Sequence, residues 1–258
     1  MANENVQKDI VSGSPYDAAF YPTSAKYKEG RMPHVGQKVS FRDGREYVFC
    51  STASVFAAGE IIATATALNT VQDGKCTAAA IGATSVTIDT TAMQFFGGSA
   101  GVLAANRMSG GYIVVETDAG IGYTYKIKSH AATTSAASGV FTLYDGLVVA
   151  LTTASDIFFI GPKYDVVIQC TASLAPVGVA VVVTTDATST NLAYFWAQTK
   201  GLGCVLIGTG TSIAIGLEIS ASASGKCILA AATLAVIGVA MATDTTADAA
   251  LPIMLNIV

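Results

Sequence analysis

The sequence predicts an all-β protein: a β-sandwich or barrel body of short antiparallel strands behind an extended N-terminal arm. Three observations predict it. Short apolar runs rich in Val, Ile, Thr, Phe and Tyr recur between Gly, Asp and Pro, at the roughly 8–12-residue spacing of sandwiches and barrels. No 3.6-residue period is sustained, and only residues 100–106 and 147–152 suit a helical turn. Charge is concentrated at the front. Of the 32 Asp, Glu, Lys and Arg residues, 13 precede Tyr47, and the other 19 are spread over more than 200 residues of Ala, Val, Thr, Gly and Ser. A soluble monomer covers itself with about one charged residue in four. The long segment therefore reads as a surface of Thr, Ser and backbone, or one covered by other protein molecules.

The elements follow in order. Residues 1–38 form the arm, polar and carrying Pro15, Pro22 and Pro33. Its spaced aromatics Tyr16, Phe20, Tyr21 and Tyr27 suit an arm that gains order along a partner. A first β domain is expected over 39–165. It opens with a hairpin in which Asp43-Gly44 reads as a two-residue type I′ turn between Val39, Phe41, Tyr47 and Phe49. Strands are expected at 86–90, 112–116, 121–128, 141–144, 156–160 and 166–168. In the run 121–128 Ile121, Tyr123, Tyr125 and Ile127 share one face. A C-terminal β domain over 166–258 carries an internal echo: Leu174–Ala180 (LAPVGVA) matches Leu234–Ala240 (LAVIGVA) at an offset of 60. Each is followed by a Thr/Asp turn and a second apolar run. We read this as a small unit used twice, one strand carrying GVA and a second pairing back, with Gly178 and Gly238 at a bulge or close backbone approach. A second echo pairs Gly74-Lys75-Cys76 with Gly225-Lys226-Cys227.

Composition narrows the function. The net charge of −4 argues against a nucleic-acid partner. The uncharged run Cys227–Ala242 is 16 residues long, short of the ~20 that a spanning helix needs, so no membrane partner is expected. The N-terminus has no basic segment followed by an apolar core, so no signal peptide is expected. The five cysteines are scattered without a CxxC pair and read as buried free thiols of a protein made in a reducing cytoplasm. No metal or cofactor is implied.

Candidate chemistry is sparse. His34 lies in the arm and His130 in a Ser/Ala/Thr segment, and both are expected in exposed loops. A hydrolase built on His130 is the weakest of the readings, because a nucleophile also needs a placed base and orienter. Asp186, Asp244 and Asp248 are isolated turn residues, and no phosphate-loop or nucleophile-elbow motif occurs. We expect no catalytic residue and no enzyme. Tyr194 and Trp196, flanking Phe195, are the candidate surface aromatic patch.

Several segments resemble one family. These are Asp43–Tyr47 (DGREY) within the Phe41–Phe49 hairpin, Tyr194–Gly201 (YFWAQTKG), Gly225-Lys226, and Ile237–Ala240 (IGVA). Together they are similar to the head-decoration, or cement, proteins of tailed bacteriophages. The resemblance implies a structural virion protein, assembled in the host cytoplasm, that binds the outer capsid surface and stabilises the head. Its partners would be the major capsid protein and copies of itself, as a dimer or trimer. The alternative is a phage tail, fibre or host-surface module binding a glycan through exposed aromatics.

Overall fold

The computed structural model describes residues 35–64, 74–93, 95, 99–134, 138–172, 174–184, 192–222 and 224–257. The all-β expectation holds: the described residues contain sixteen strands and no helix. The arm tyrosines, Phe20, His34 and Asp186 lie outside them. The chain divides into two compact units, one made of the residues up to Thr64 and from Lys163 onward, the other of Ala65–Pro162.

The domain boundaries therefore differ from the expected ones. Residues 39–64 belong with the C-terminal segment. The reason is a long-range pairing: β2 (Glu46–Thr52) runs antiparallel to β12 (Ala193–Leu206) from Ala193↔Thr52 to Lys200↔Glu46. In the first unit β1 (Lys38–Ser40) pairs with β2, with Val39 opposite Tyr47. The hairpin is as expected, but the turn is not type I′. Only Gly44, at φ 85°, has positive φ, and Asp43 does not. Phe41 accepts the Gly44 N–H and donates its own to Arg45, which is a type I turn closed by a glycine bulge. The Asp43 carboxylate accepts from both the Arg45 N–H and its Nε.

Both faces of β2 are buried, which is why its sequence reads as a continuous apolar run. Val48 and Cys50 face one cluster with Phe56, Ile62, Val177 and Phe195. Tyr47 and Phe49 face another with Val39, Phe41 and Trp196.

The remaining strands are β3 (Ile61–Ala63), β10 (Ile168–Gln169), β11 (Pro176–Ala180), β13 (Glu218–Ala221), β14 (Cys227–Leu229), β15 (Val236–Ala240) and β16 (Ala250–Asn256). They join β12 in the order β10-β3-β11-β12-β16-β15-β13-β14, an antiparallel half-barrel. The run at Cys227–Ala242 becomes β14, a turn and β15. No helix among the described residues is long and apolar enough to cross a membrane.

The order is palindromic, and so is the register. Ile61, Ile62 and Ala63 pair with Val179, Gly178 and Pro176; Glu218, Ile219 and Ser220 pair with Val239, Gly238 and Val236. On the other side Ile62 and Ala63 pair with Gln169 and Ile168; Ile219 and Ser220 pair with Leu229 and Ile228. Every partner in the second set lies 60 positions after its counterpart, as Val239 does after Val179. Both sets carry a register shift at the same place, leaving Val177 and Ile237 unpaired. The glycines that follow both sit at close approaches where a side chain forces a neighbour to shift. A Cβ on Gly178 would stand 2.9 Å from the Ala197 Cβ, and one on Gly238 would stand 2.2 Å from the Met254 carbonyl oxygen.

The second unit is a six-stranded barrel. Its strands are β4 (Gly74–Lys75), β5 (Ser85–Ile88), β6 (Tyr112–Val115), β7 (Thr124–His130), β8 (Gly139–Leu143) and β9 (Asp156–Ile160), in the order β4-β9-β6-β7-β8-β5. A Cys76↔Ile88 bridge and the Asp89-to-Lys75 and Thr77-to-Thr87 backbone bonds join β4 to β5 and nearly close it. Closure removes sheet edges. Alternate residues fill the barrel: Val86 and Ile88, Ile113 and Val115, Tyr125 and Ile127, Phe141 and Leu143, Ile157 and Phe159. Phe141 and Phe159 meet at 4.8 Å. The expected shared face of Ile121, Tyr123, Tyr125 and Ile127 breaks at 123, because 119–122 form a turn and β7 starts at Thr124. Ile121 and Tyr123 are exposed, Tyr125 and Ile127 buried.

Candidate interaction surface

The expected aromatic patch is buried where it was placed. Trp196 is 2% exposed. The Phe41–Phe49 hairpin covers it, and its ring lies 5.2 Å from Phe49. Tyr194 is half-buried and stacks on Phe49 at 6.1 Å, while Phe195 points to the opposite face and meets Phe56. Alternation along β12 sends neighbours to opposite sides, and both sides are covered, so the three rings form no common surface.

Exposed aromatics gather instead on the outside of the barrel. Inward Ile113, Val115, Ile157 and Phe159 force Tyr112, Val114, Phe158 and Ile160 outward. Register aligns them in rows: Ile160–Tyr112–Lys126, and Phe158–Val114–Thr124. Tyr144 donates its N–H to the Lys126 carbonyl, and the Lys126 ammonium lies 5.5 Å over the Tyr144 ring. Tyr112, Tyr144, Phe158 and Ile160 are between 37% and 56% exposed, whereas Tyr123, 40% exposed, stacks on inward Tyr125 and does not share this face. At the end of β9, Lys75 stands opposite Asp156 and pairs with it at 2.5 Å. That ammonium, with the Thr117 hydroxyl, holds the Asp156 carboxyl below the usual range. A signal for this surface was present in the sequence: the out-of-phase positions of Tyr112-Ile113-Val114-Val115 and Ile157-Phe158-Phe159-Ile160 are as apolar as the in-phase ones.

His130 is not an exposed loop residue. It ends β7 and is buried, 5.1 Å from the Phe141 ring. Its Nε2 accepts the Met108 N–H at 2.9 Å, so the proton sits on Nδ1, which donates to the Ala131 carbonyl at 2.8 Å. Both nitrogens thus serve the barrel's backbone. Burial holds the imidazole below its ordinary pKa.

Four cysteines, Cys50, Cys76, Cys170 and Cys227, are buried free thiols. Burial pushes Cys76 and Cys170 up to about 11 and Cys227 up to about 12. Cys204 departs from the expectation and is exposed. Its alternation partner Val205 takes the inward position on β12. Asp244 accepts the Thr245 and Thr246 N–H groups, which keeps its carboxyl low, and Asp248 pairs with Lys226. Among the described residues no three of His, Cys, Asp and Glu converge as a metal site.

No family model, curated protein or solved structure matches this chain.

Proposed function

We propose that this chain is a structural virion protein that binds the outer capsid surface of a tailed phage and stabilises the head. The observation that carries the reading is the outer face of the barrel. Contiguous exposed apolar surface marks a place where a partner sits. Here the residues are Tyr112, Tyr144, Phe158 and Ile160, with Lys126 among them. A surface of aromatics and a branched aliphatic held on a nearly closed barrel is rigid before binding, which suits a protein–protein contact. The resemblance of the Phe41–Phe49 hairpin and Tyr194–Gly201 segments to head-decoration proteins supplies the identity of the partner, the major capsid protein. The arm, with Tyr16, Phe20, Tyr21 and Tyr27, would extend that contact.

The test is co-sedimentation with undecorated capsids. Replacing Tyr112 and Ile160 by Ser should weaken binding at least tenfold, since buried aromatic anchors dominate such interfaces. Deleting residues 1–34 should weaken it further while leaving the fold intact. Unchanged capsid binding by both variants would sink the reading.

The exposed tyrosines also favour the second reading, a tail or host-surface module whose aromatic faces stack on a glycan. Saturable binding to host-derived glycans, lost in Tyr112→Ser and Tyr144→Ser and accompanied by no capsid binding, would favour it over the first.

A further inference from the structure

We propose that the outer face of β12, β16 and β15 is a self-association surface, occupied by the same face of a second copy of this chain. The inference stands apart from the capsid reading, because it concerns the other unit and is tested without a capsid.

The face is built by alternation. Along β16, Leu251, Ile253 and Leu255 point into the core, which turns Pro252, Met254 and Asn256 outward. Register sets them beside outward residues of the flanking strands. Leu202, Met254, Val239 and Glu218 form one row across β12, β16, β15 and β13. Cys204 lies opposite Pro252, whose carbonyl accepts the Met241 N–H. Leu202 is 55% exposed, Met241 45% and Met254 44%. This is apolar surface on a regular sheet, of the kind that buries against a second sheet about 10 Å away.

The charges at its margins identify the occupant. Lys200 stands at the β12 margin two residues from Leu202, more than half of its side chain exposed and its ammonium 3.8 Å from the Glu46 carboxylate of β2. Glu218, exposed, stands at the opposite margin on β13. A twofold axis lying in the interface, parallel to the strands between β16 and β15, turns one margin onto the other. It stacks Met254 on Val239 of the second copy and lays Leu202 against the shallow depression formed by Leu217, Glu218 and Leu229. It also brings Lys200 within reach of Glu218 across the interface, on both sides of the axis, where Glu218 would compete with the long 3.8 Å contact to Glu46 for the ammonium. A face with an exposed lysine at one end, an exposed glutamate at the other and an apolar middle can pair with itself, as an isologous interface requires.

Cys204 makes the geometry measurable. Three strand spacings and one sheet separation put the two Cys204 residues roughly 17 Å apart. It is also the exposed thiol, while the other four are buried. The native full-length protein should sediment at tens of micromolar with twice the 26.3-kDa chain mass. A bis-maleimide of matching span should link two copies, and Cys204→Ser should abolish the link. Met254→Lys should raise the dimer dissociation constant at least tenfold without changing the circular dichroism spectrum. Lys200→Glu should also weaken the dimer, and Lys200→Glu with Glu218→Lys should restore it. Three outcomes overturn the proposal: a monomer at these concentrations, a dimer indifferent to Met254→Lys and unlinked through Cys204, or a trimer or larger ring, since an isologous face closes at two copies.

Discussion

His130 shows how one side chain ties a barrel to solution pH. Its Nε2 lone pair accepts the Met108 N–H, and that bond exists only in the neutral ring. Protonation would place two N–H groups face to face beside Phe141. Burial holds the folded-state pKa below the ordinary value of 6.5, and the Met108 bond acts in the same sense, while the unfolded chain titrates near it. The stability that neutral His130 confers is present in full above pH 6.5. It is lost as pH falls through 6.5 toward the lowered folded value, because there the unfolded chain binds a proton that the barrel refuses. This window is separate from that of Asp89 and Asp156, whose hydrogen-bonded carboxyls sit below 3.8 and contribute stability that disappears only as pH falls through the carboxylate range. Thermal unfolding between pH 7 and 5 should show the barrel losing stability in wild type, and a flatter profile in His130→Gln. A flat wild-type profile would contradict the assigned tautomer.

At the scale of elements, the two GVA segments carry the sharpest expectation about packing. Gly178 and Gly238 occupy the same register position beside the same unpaired residue, but their surroundings differ. A methyl on Gly178 meets the Ala197 methyl, which can shift with its strand. A methyl on Gly238 meets the Met254 carbonyl oxygen, fixed within the β15–β16 ladder. Gly178→Ala should cost about 1 kcal/mol and Gly238→Ala about 3 kcal/mol or more, on the scale of overpacked sites, as read from urea midpoints at constant slope. Equal costs would mean that the ladder yields as readily as the methyl contact. These segments, the Val39–Phe49 hairpin and the strand runs at 112–116 and 156–160 were legible in the sequence because each is local: alternation, a glycine and a turn lie within a few residues. The β2–β12 pairing was not. It joins residues about 150 apart, and nothing in YFWAQTKG shows that a distant hairpin covers Trp196. Exposure on the barrel was missed for a related reason. Tyr112 and Phe158 come onto one face only through their register with Ile160, Lys126 and Val114.

Across the whole molecule, the half-barrel reads as two equivalent four-strand groups, β3-β10-β11-β12 and β13-β14-β15-β16, in the same order and register. In the second group a few residues join β13 to β14. In the first, the same connection, β3 to β10, contains the entire second unit. Two facts make this an insertion that the half-barrel tolerates. The chain leaves and returns at one place, where the Thr64 hydroxyl donates to the Lys163 carbonyl at 3.1 Å. The barrel's hydrophobic cluster consists only of residues between Cys76 and Phe159, and the other three clusters lie wholly outside that range. Domain insertion succeeds at such close-ended surface connections. Replacing residues 65–162 by a link as short as Ser222–Lys226 should then leave a folded half-barrel. Its Trp196 should keep the blue-shifted emission of a buried indole, and it should melt in one cooperative transition. The intact chain should show two transitions, and the His130-linked acid loss should fall on the barrel's transition alone. An excised chain with red-shifted, non-cooperative emission would mean that the half-barrel depends on the inserted unit, and the equivalence of the two groups would then be geometric without being modular.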